Sequence, residues 1–385
     1  MNVLVLGAGM MGRAIAYDLD KYSHFDEILI GDKDRQQRIS ARRFLKNTRV
    51  NIVNIDVNHA EAIKQYLKKG DVLISAVPYR YNLRLASIAI HAQMHFIDLG
   101  GNNTIVEKQR RLYQKAKHNK ITIIPDSGLA PGLVSIITHD IIDYFDAVDF
   151  VKLRVGGLPR YPQPPFNYQI VFSPYGLINE YVEDAIILDH GKIITKKSMT
   201  ELETLTFQKP FGKMEAFLTS GGSSTLPMTY QKKIQYLDYK TIRYPGHCEI
   251  IKAILDLGFA SERKINCGTQ QITPRDVFAK LLETHLPNTR EDVVLLKIFS
   301  QGVKNSKTSK RDYILIDYYD RNHDISAMMR TTGYPVAITA QMILDGTLAT
   351  PGVYCPEEIV PPAPFFAQLK KRGISLKIHE RSVSS

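Results

Sequence analysis

Residues 2–34 read NVLVLGAGMMGRAIAYDLDKYSHFDEILIGDKD, and the order of structural signals within them decides the fold. Val3 to Leu6 is a short apolar run of the kind that forms a buried parallel strand. Gly7, Gly9 and Gly12 follow as GxGxxG: the first glycine makes a tight turn, the second admits a pyrophosphate close to the backbone, and the third lets a helix pack on the strand. Ala14, Ile15, Tyr17, Asp18 and Leu19 fit a helix with one apolar face. Its first amides, those of Met10 and Met11 among them, point partial positive charge at a phosphate. Glu27 to Gly31 reads as a second strand and delivers Asp32 twenty residues after Gly12. An acid at that distance accepts hydrogen bonds from the adenosine ribose and repels a 2′-phosphate, so NAD is favoured. Lys33 and Arg35 would hold that phosphate if Asp32 turned away, which leaves NADP as the alternative. A lone GxGxxG is most often an ordinary glycine turn; strand, glycines, helix, strand and acid in succession make a dinucleotide site.

At 385 residues the chain exceeds one ordinary core and is expected to form two domains. With 44% hydrophobic and 23% charged residues it is globular. The apolar N-terminal run is too short for a membrane span and lacks a charged leader, so a soluble, cytoplasmic protein with no membrane partner is expected. Cys248, Cys267 and Cys355 match neither a disulfide framework nor a CxxC pair, which suits a reducing compartment. No HExxH and no clustered His–acid spacing occurs, so no metal is expected. The formal charge of +11 raises nucleic acid as a partner, but the basic residues are spread along the chain. The densest group, Lys304 to Arg311, reads as a solvated hairpin loop without interleaved aromatics, so no nucleic-acid partner is expected.

Alternation of strand and helix continues to about residue 127. Helix is expected from Asp34 to Lys46, strand from Val50 to Ile55 ending at Asp56, and strand from Asp71 to Ser75 followed by Ala76, Val77 and Pro78. Asp56 stands where this fold places adenine, or else caps the next helix. Ala76, Val77 and Pro78 stand at the topological switch of a doubly wound sheet, where short residues let backbone meet the nicotinamide half. Helix Asn82 to Gln93, strand HFIDLGG, helix Ile105 to Asn119 and strand ITIIPDSG complete a Rossmann domain over 1–127. From 128 to 330 strands dominate: Phe150–Gly156, Tyr168–Phe172, Ala185–Leu188, Glu215–Thr219, Asp292–Phe299 and Tyr313–Tyr318, with helices near Pro174–Tyr181, Gly246–Leu257 and Pro274–Leu286. The class is α/β, an N-terminal doubly wound parallel sheet plus a second α+β domain with a mainly antiparallel sheet. The tail shows a helical pattern from Ile325 to Leu344, interrupted by Gly333 and Pro335, and another from Ala363 to Lys371. With no strand left to serve, these helices (331–385) are expected to return and complete the first domain.

Candidate chemistry is sparse. Asp98 and Asp126 end strands and face the cofactor side of a parallel sheet, Asp98 as a cofactor contact and Asp126 as a proton carrier; each has a plain alternative as a turn former. Arg243 and His247 lie in RYPGH at the entrance to a helix. Arginine binds a carboxylate with a two-pronged hydrogen bond, and histidine exchanges protons near neutral pH, although either residue also serves as a structural partner or cap.

The segments LGAGMMGRAIAYDL, GDKD, IDLGGN, IIPDSGLAPG, VGGLP, PPFNYQIVFSP, GGSSTLP, IRYPGH and MMRTTGYP together resemble the saccharopine dehydrogenase-like oxidoreductases, most closely the L-lysine 6-dehydrogenase branch. The resemblance runs from residue 3 to about 335. It implies an NAD-dependent enzyme acting on a C–N bond of a small amino-acid substrate, a second domain that also makes subunit contacts, and a homo-oligomer, dimer or tetramer. In the lysine branch the ε-amine is oxidatively deaminated to the 6-semialdehyde, which cyclises to a piperideine carboxylate. His247 and Asp126 are the candidates for proton acceptor, Arg243 for the substrate carboxylate, and Tyr168 and Thr225 for lining residues. Saccharopine, with three carboxylates, requires more cations, for which Arg80, Arg154 and Arg160 are available. The competing readings are a saccharopine or carboxyspermidine-type dehydrogenase and a non-catalytic NAD-binding sensor.

Overall fold

Val3–Leu6 are all fully buried and form strand β1, the centre of a parallel sheet in the computed structural model, which describes residues 1–287 and 289–383. β2 (Ile28–Asp32), β3 (Asn51–Asn54), β4 (Val72–Ser75), β5 (His95–Asp98) and β6 (Thr122–Ile124) join it in the order β6-β5-β4-β1-β2-β3, every pair parallel. The chain reverses its direction of travel across the sheet between β1 and β4, the topological switch at which open sheets of this kind bind ligands beyond the carboxyl ends of their strands. Leu4, Leu6, Leu29, Leu73, Phe96 and Ile123 fill one face of this sheet together with Leu85 and Ala89 from the helix Asn82–Ala92. Each such side chain contributes about 1.5–3 kcal/mol by leaving water, so the strands are held by burial on both faces. The helix expected from Ile105 to Asn119 is two, Asn103–Arg110 and Tyr113–His118.

By its contacts the chain divides into two units. The first comprises Met1–Asp143, Ser224–Leu226 and Met329–Ile374; the second comprises Tyr144–Ser223, Pro227–Met328 and the chain from Ser375. The strands of the second unit are β7 (Ala147–Pro159), β8 (Ala185–Asp189), β9 (Lys192–Lys196), β10 (Glu203–Thr206), β11 (Lys213–Leu218) and β12 (Ile234–Arg243), a small hairpin of β13 (Ile265–Cys267) and β14 (Gln270–Ile272), then β15 (Asp292–Lys304) and β16 (Lys307–Tyr318). The main sheet runs β10-β11-β12-β7-β15-β16, antiparallel except between β12 and β7.

Three sequence expectations for this unit are corrected. Central strand β12 was not foreseen, because IQYLDYKTIR carries Asp238, Lys240 and Arg243, charges that ordinarily mark a surface. They are buried, and the sheet neutralises them: Arg154 on β7 donates to both oxygens of Asp238 (2.8 and 2.9 Å) and to Glu203, while Lys240 reaches Glu203 at 3.3 Å. Tyr168–Phe172 is not a strand but an irregular segment after Pro162, Pro164 and Pro165, residues without an N–H to give a ladder. Lys304 to Arg311 is a loop only at Asn305 and Ser306; Lys307 onward belongs to β16.

The tail also departs from expectation. Ala327–Leu344 is one continuous helix through Pro335. Gly333 serves close approach, since a Cβ there would lie 2.9 Å from the Ala14 Cβ of helix α1 (Met10–Tyr22). Strands do remain in the tail: β17 (Gly352–Val353) adds a seventh parallel strand beside β6, and β18 (Lys377–Ser382) pairs with β16 in the second unit. By contact the returning segment runs to Ile374 and the second unit starts at Tyr144. Arg372 fastens the return, its Nε donating to both oxygens of Asp18 on α1 at 2.8 Å, with both side chains fully buried. Removing one partner of such a pair strands a buried charge, at about 3–5 kcal/mol.

Candidate active site

The first unit carries a site made mostly of backbone. Gly7 has φ +99°, a conformation that favours glycine, and a Cβ on it would stand 2.6 Å from the Ala76 carbonyl oxygen. At Gly12 a Cβ would stand 1.8 Å from the Gly7 carbonyl, so helix and turn touch only because the side chain is hydrogen. Gly9 differs: a Cβ there would meet nothing within 4 Å. It is also the N-cap of α1, with no side-chain cap and no acid in the first turn, so the amides at Met10 and Met11 and the open space at Gly9 fit a pyrophosphate.

Asp32 ends β2 beside this turn. Its Oδ2 accepts from the Ala8 amide and its Oδ1 from the Asp34 amide, each at 2.8 Å, which fixes the carboxylate at the carboxyl edge of the sheet. Lys33 and Arg35 are exposed next to it. Ala76, Val77 and Pro78 leave β4 with the Ala76 amide bound to the Leu6 carbonyl at 2.8 Å. Asp56 turns into its own loop, accepting from the Asn58 amide (3.0 Å) with Lys33 Nζ at 3.9 Å; the Asn58 amide and the Lys33 charge hold its carboxyl below the usual range.

Asp98, expected as a cofactor contact, is tied into the loops around it. Its Oδ2 accepts from Gln109 Nε2 at 2.7 Å, and its Oδ1 from the amides of Gly100 (2.7 Å) and Asp126 (3.3 Å), with no surface exposed. Asp126 sits at the centre of this loop system, fully buried, with φ +60°. Its Oδ2 accepts from the Ser224 hydroxyl, and among the described residues its Oδ1 has no hydrogen-bond partner. Burial raises its carboxyl to about 8, against the Ser224 hydrogen bond. A Cβ at Gly100 would fall 1.8 Å from that Oδ1, which is why IDLGG needs a glycine there. Thr225, expected as a lining residue, donates its hydroxyl to Glu357 at 2.6 Å, within the first unit.

The second unit carries a site made of side chains. Arg243 ends β12, buried, with Nε donating to the Tyr181 hydroxyl (2.8 Å) and Nη1 to the Ile242 carbonyl (2.9 Å). Its guanidinium lies 4.7 Å from the ring centre of Tyr168, whose buried hydroxyl has no partner and is pushed by burial up to about 12. Nη2 points to Glu180 Oε2 at 3.6 Å, beyond hydrogen-bond reach.

His247 opens the next helix after Gly246. Its Nδ1 is 3.0 Å from the Phe166 carbonyl and its Nε2 is 3.0 Å from the Tyr181 hydroxyl. Burial, aided by the Arg243 charge, pushes the ring down to about 3, so it is neutral at pH 7. Nδ1 must then carry the proton for Phe166, leaving Nε2 to accept from Tyr181. Both nitrogens of His247, expected as a proton acceptor, are engaged in this arrangement, in which the ring orients Tyr181 and, through it, Arg243.

Arg154 is consumed by Asp238 and Glu203, and Arg160 lies 4.5 Å from the ring centre of Tyr318 at a surface cavity lined also by Tyr161, Glu291, Tyr319 and Arg321. Arg80 is exposed on the turn after β4, 4.9 Å from the ring centre of Tyr81. Glu180, Tyr181 and Ser224 were missed in the sequence. A signal existed for two of them: in the helix Pro174–Val182, Leu177 and Tyr181 are buried at i and i+4, which puts Glu180 at i+3 on the same face, an acid among apolar neighbours.

Residues 3–124 match the Saccharopine dehydrogenase NADP binding domain and residues 128–374 the Saccharopine dehydrogenase C-terminal domain. The chain is 24% identical to the saccharopine dehydrogenase (NADP+, L-glutamate-forming) of Saccharomyces cerevisiae over 98% of both chains. It is 22% identical to the carboxynorspermidine synthase of Vibrio cholerae over 99% of this chain and 97% of the relative. Among solved structures, apo saccharopine dehydrogenase (L-Glu forming) from S. cerevisiae superposes with a TM-score of 0.80 at 22% identity over 100% of both chains. The homospermidine synthase of Legionella pneumophila, solved with NAD, gives 0.68 at 14% identity, covering 99% of this chain and 91% of that one.

Proposed function

Since the chain belongs to the saccharopine dehydrogenase family, a family of nicotinamide-dinucleotide oxidoreductases, we propose that it oxidises a C–N bond of an α-amino acid and that its substrate is L-lysine, taken at the ε-carbon to the 6-semialdehyde with release of ammonia. The observation that carries this reading is Arg243: among the described residues its buried Nη2 makes no hydrogen bond, with Glu180 Oε2 at 3.6 Å, and the guanidinium lies over Tyr168, whose hydroxyl is also unpartnered, so the two donors suit the carboxylate of an amino acid whose charges both meet a partner. The choice of lysine over saccharopine rests on cation supply. Saccharopine brings three carboxylates, and Arg154 is already spent on Asp238 and Glu203.

The nicotinamide, when bound, supplies the hydride acceptor. The protein's task is to hold the substrate and free the nitrogen lone pair. Lysine's amine, with a pKa of ~10.4, costs about 4.6 kcal/mol to deprotonate at pH 7. Asp126 is the proton acceptor in this reading, since its Oδ1 is unpartnered and its carboxyl is tuned to about 8. The Gly7–Gly12 turn would hold the pyrophosphate and Asp32 the adenosine ribose, which favours NAD, while Lys33 and Arg35 are the cations an NADP phosphate would use. A saccharopine or carboxylated-polyamine substrate is the second reading, favoured by the names of the relatives.

The test is reduced-cofactor formation at pH 9 with L-lysine, saccharopine and a carboxylated polyamine, each with NAD and with NADP. Reduction with lysine and a trapped piperideine carboxylate supports the first reading. Reduction only with another amine moves the substrate to the second, and silence with all three favours a non-catalytic sensor.

A further inference from the structure

The open faces of the second-unit cluster do not match a simple anion. Arg243 Nη2 and the Tyr168 hydroxyl offer hydrogen-bond donors, but Glu180 Oε2 stands 3.6 Å from Nη2, buried and without a hydrogen-bond partner. A monocarboxylate placed on the two donors would lie against a second carboxylate, at a cost that grows in a dry site. Carboxylate and guanidinium are thus neighbours that have not closed into a hydrogen-bonded pair. Glu180 keeps 24% of its side-chain surface exposed, so one side of it is reachable from outside. The ring of His247 is neutral and both tyrosines are protonated, and burial raises the Glu180 carboxyl to about 7, so above that pH the cluster carries one positive and one negative charge. A ligand with the same two charges on adjacent atoms satisfies all three groups at once.

We propose that Arg243, Tyr168 and Glu180 form a receptor for the zwitterionic head of an α-amino acid, in which Glu180 accepts hydrogen bonds from the α-ammonium group and so determines specificity. The carboxylate takes Arg243 Nη2 and the Tyr168 hydroxyl; the ammonium takes Glu180. The inference rests on the reading that the chain acts on an amino acid, and it adds that an amine lacking the α-amino group is rejected here. Glu180 touches the substrate away from the reacting carbon, so its removal should act on KM with little effect on kcat.

The experiment compares the wild type with Glu180→Gln and Glu180→Asp on L-lysine and on 6-aminohexanoate, the same amine without its α-amino group. The wild type should prefer lysine by at least about 100-fold in kcat/KM. Glu180→Gln should raise KM for lysine about 50-fold with kcat within threefold, improve 6-aminohexanoate, whose lone carboxylate then no longer faces a second one, and so abolish the preference; Glu180→Asp should restore part of it. Preference retained in Glu180→Gln, or loss shared equally by both amines, overturns the assignment. If the wild type uses another of the three amines, the readout becomes competitive inhibition by L-norleucine against hexanoate, with the same collapse of preference expected in Glu180→Gln and the same retained preference contradicting it. Turnover of none of the three overturns the functional reading itself, a result distinct from unchanged discrimination in an active enzyme.

Discussion

The site of the first unit is built from what side chains leave out, and the site of the second from what side chains bring in. At Gly7, Gly9 and Gly12 the absence of a Cβ creates the turn, the space and the helix contact. At Arg243, Tyr168, Tyr181, Glu180 and His247 five side chains from three separate segments converge, and each controls the next: the Phe166 carbonyl fixes the His247 tautomer, His247 orients Tyr181, and Tyr181 holds Arg243. A backbone site is specified by local spacing and tolerates little change of residue size. A side-chain site is specified by tertiary packing and tolerates little change of chemistry.

Substitutions should therefore separate the two. The largest effect is expected from Arg243→Ala, which removes the buried cation: kcat/KM should fall about 10³-fold while the dissociation constant for reduced cofactor, read by fluorescence titration, stays within twofold. Loss of cofactor affinity as well would mean the sites are not independent. Asp126→Asn should lower kcat by about 10²- to 10³-fold. In the unaltered protein the ionised carboxylate is the active form, so kcat/KM should rise with pH up to about 8 and level off above it, and the variant should lose that limb. A wild-type profile flat between pH 6 and 9 would remove Asp126 from proton transfer.

Gly12→Ala tests the other half. With a Cβ driven to 1.8 Å from the Gly7 carbonyl, cofactor affinity should drop about 50-fold and KM for the amine should hold. His247→Gln should produce the smallest change, a rise in KM of about tenfold with the pH profile of kcat unaltered; loss of a pH limb would return His247 to the role of base.

The same contrast explains what the sequence could reveal. The Rossmann half was legible because its signals are contiguous: VLVLGAGMMG, then Asp32 after a second strand, then alternating elements to Ile124. In the second unit β12 was illegible because Asp238, Lys240 and Arg243 read as surface charge until Arg154 and Glu203 are brought beside them by pairing. RYPGH did point to Arg243 and His247, yet only the fold shows that His247 has both nitrogens engaged. The unit to which Thr225 belongs was hidden for a related reason: GGSSTLP is embedded in second-unit sequence, but Ser224–Leu226 belongs to the first unit by contact. Gly100 was the overlooked clue, since the double glycine of IDLGG makes room for the Asp126 carboxylate.

The central claim is that a C–H bond beside an amine nitrogen is broken on this protein. The direct measurement is turnover of L-lysine carrying two deuterons at C6, with the reduced cofactor analysed by mass spectrometry. The account predicts reduced cofactor one mass unit heavier than with unlabelled lysine, together with a monodeuterated piperideine carboxylate. Reduced cofactor of unchanged mass, with both deuterons retained in the product, would contradict oxidation at that carbon.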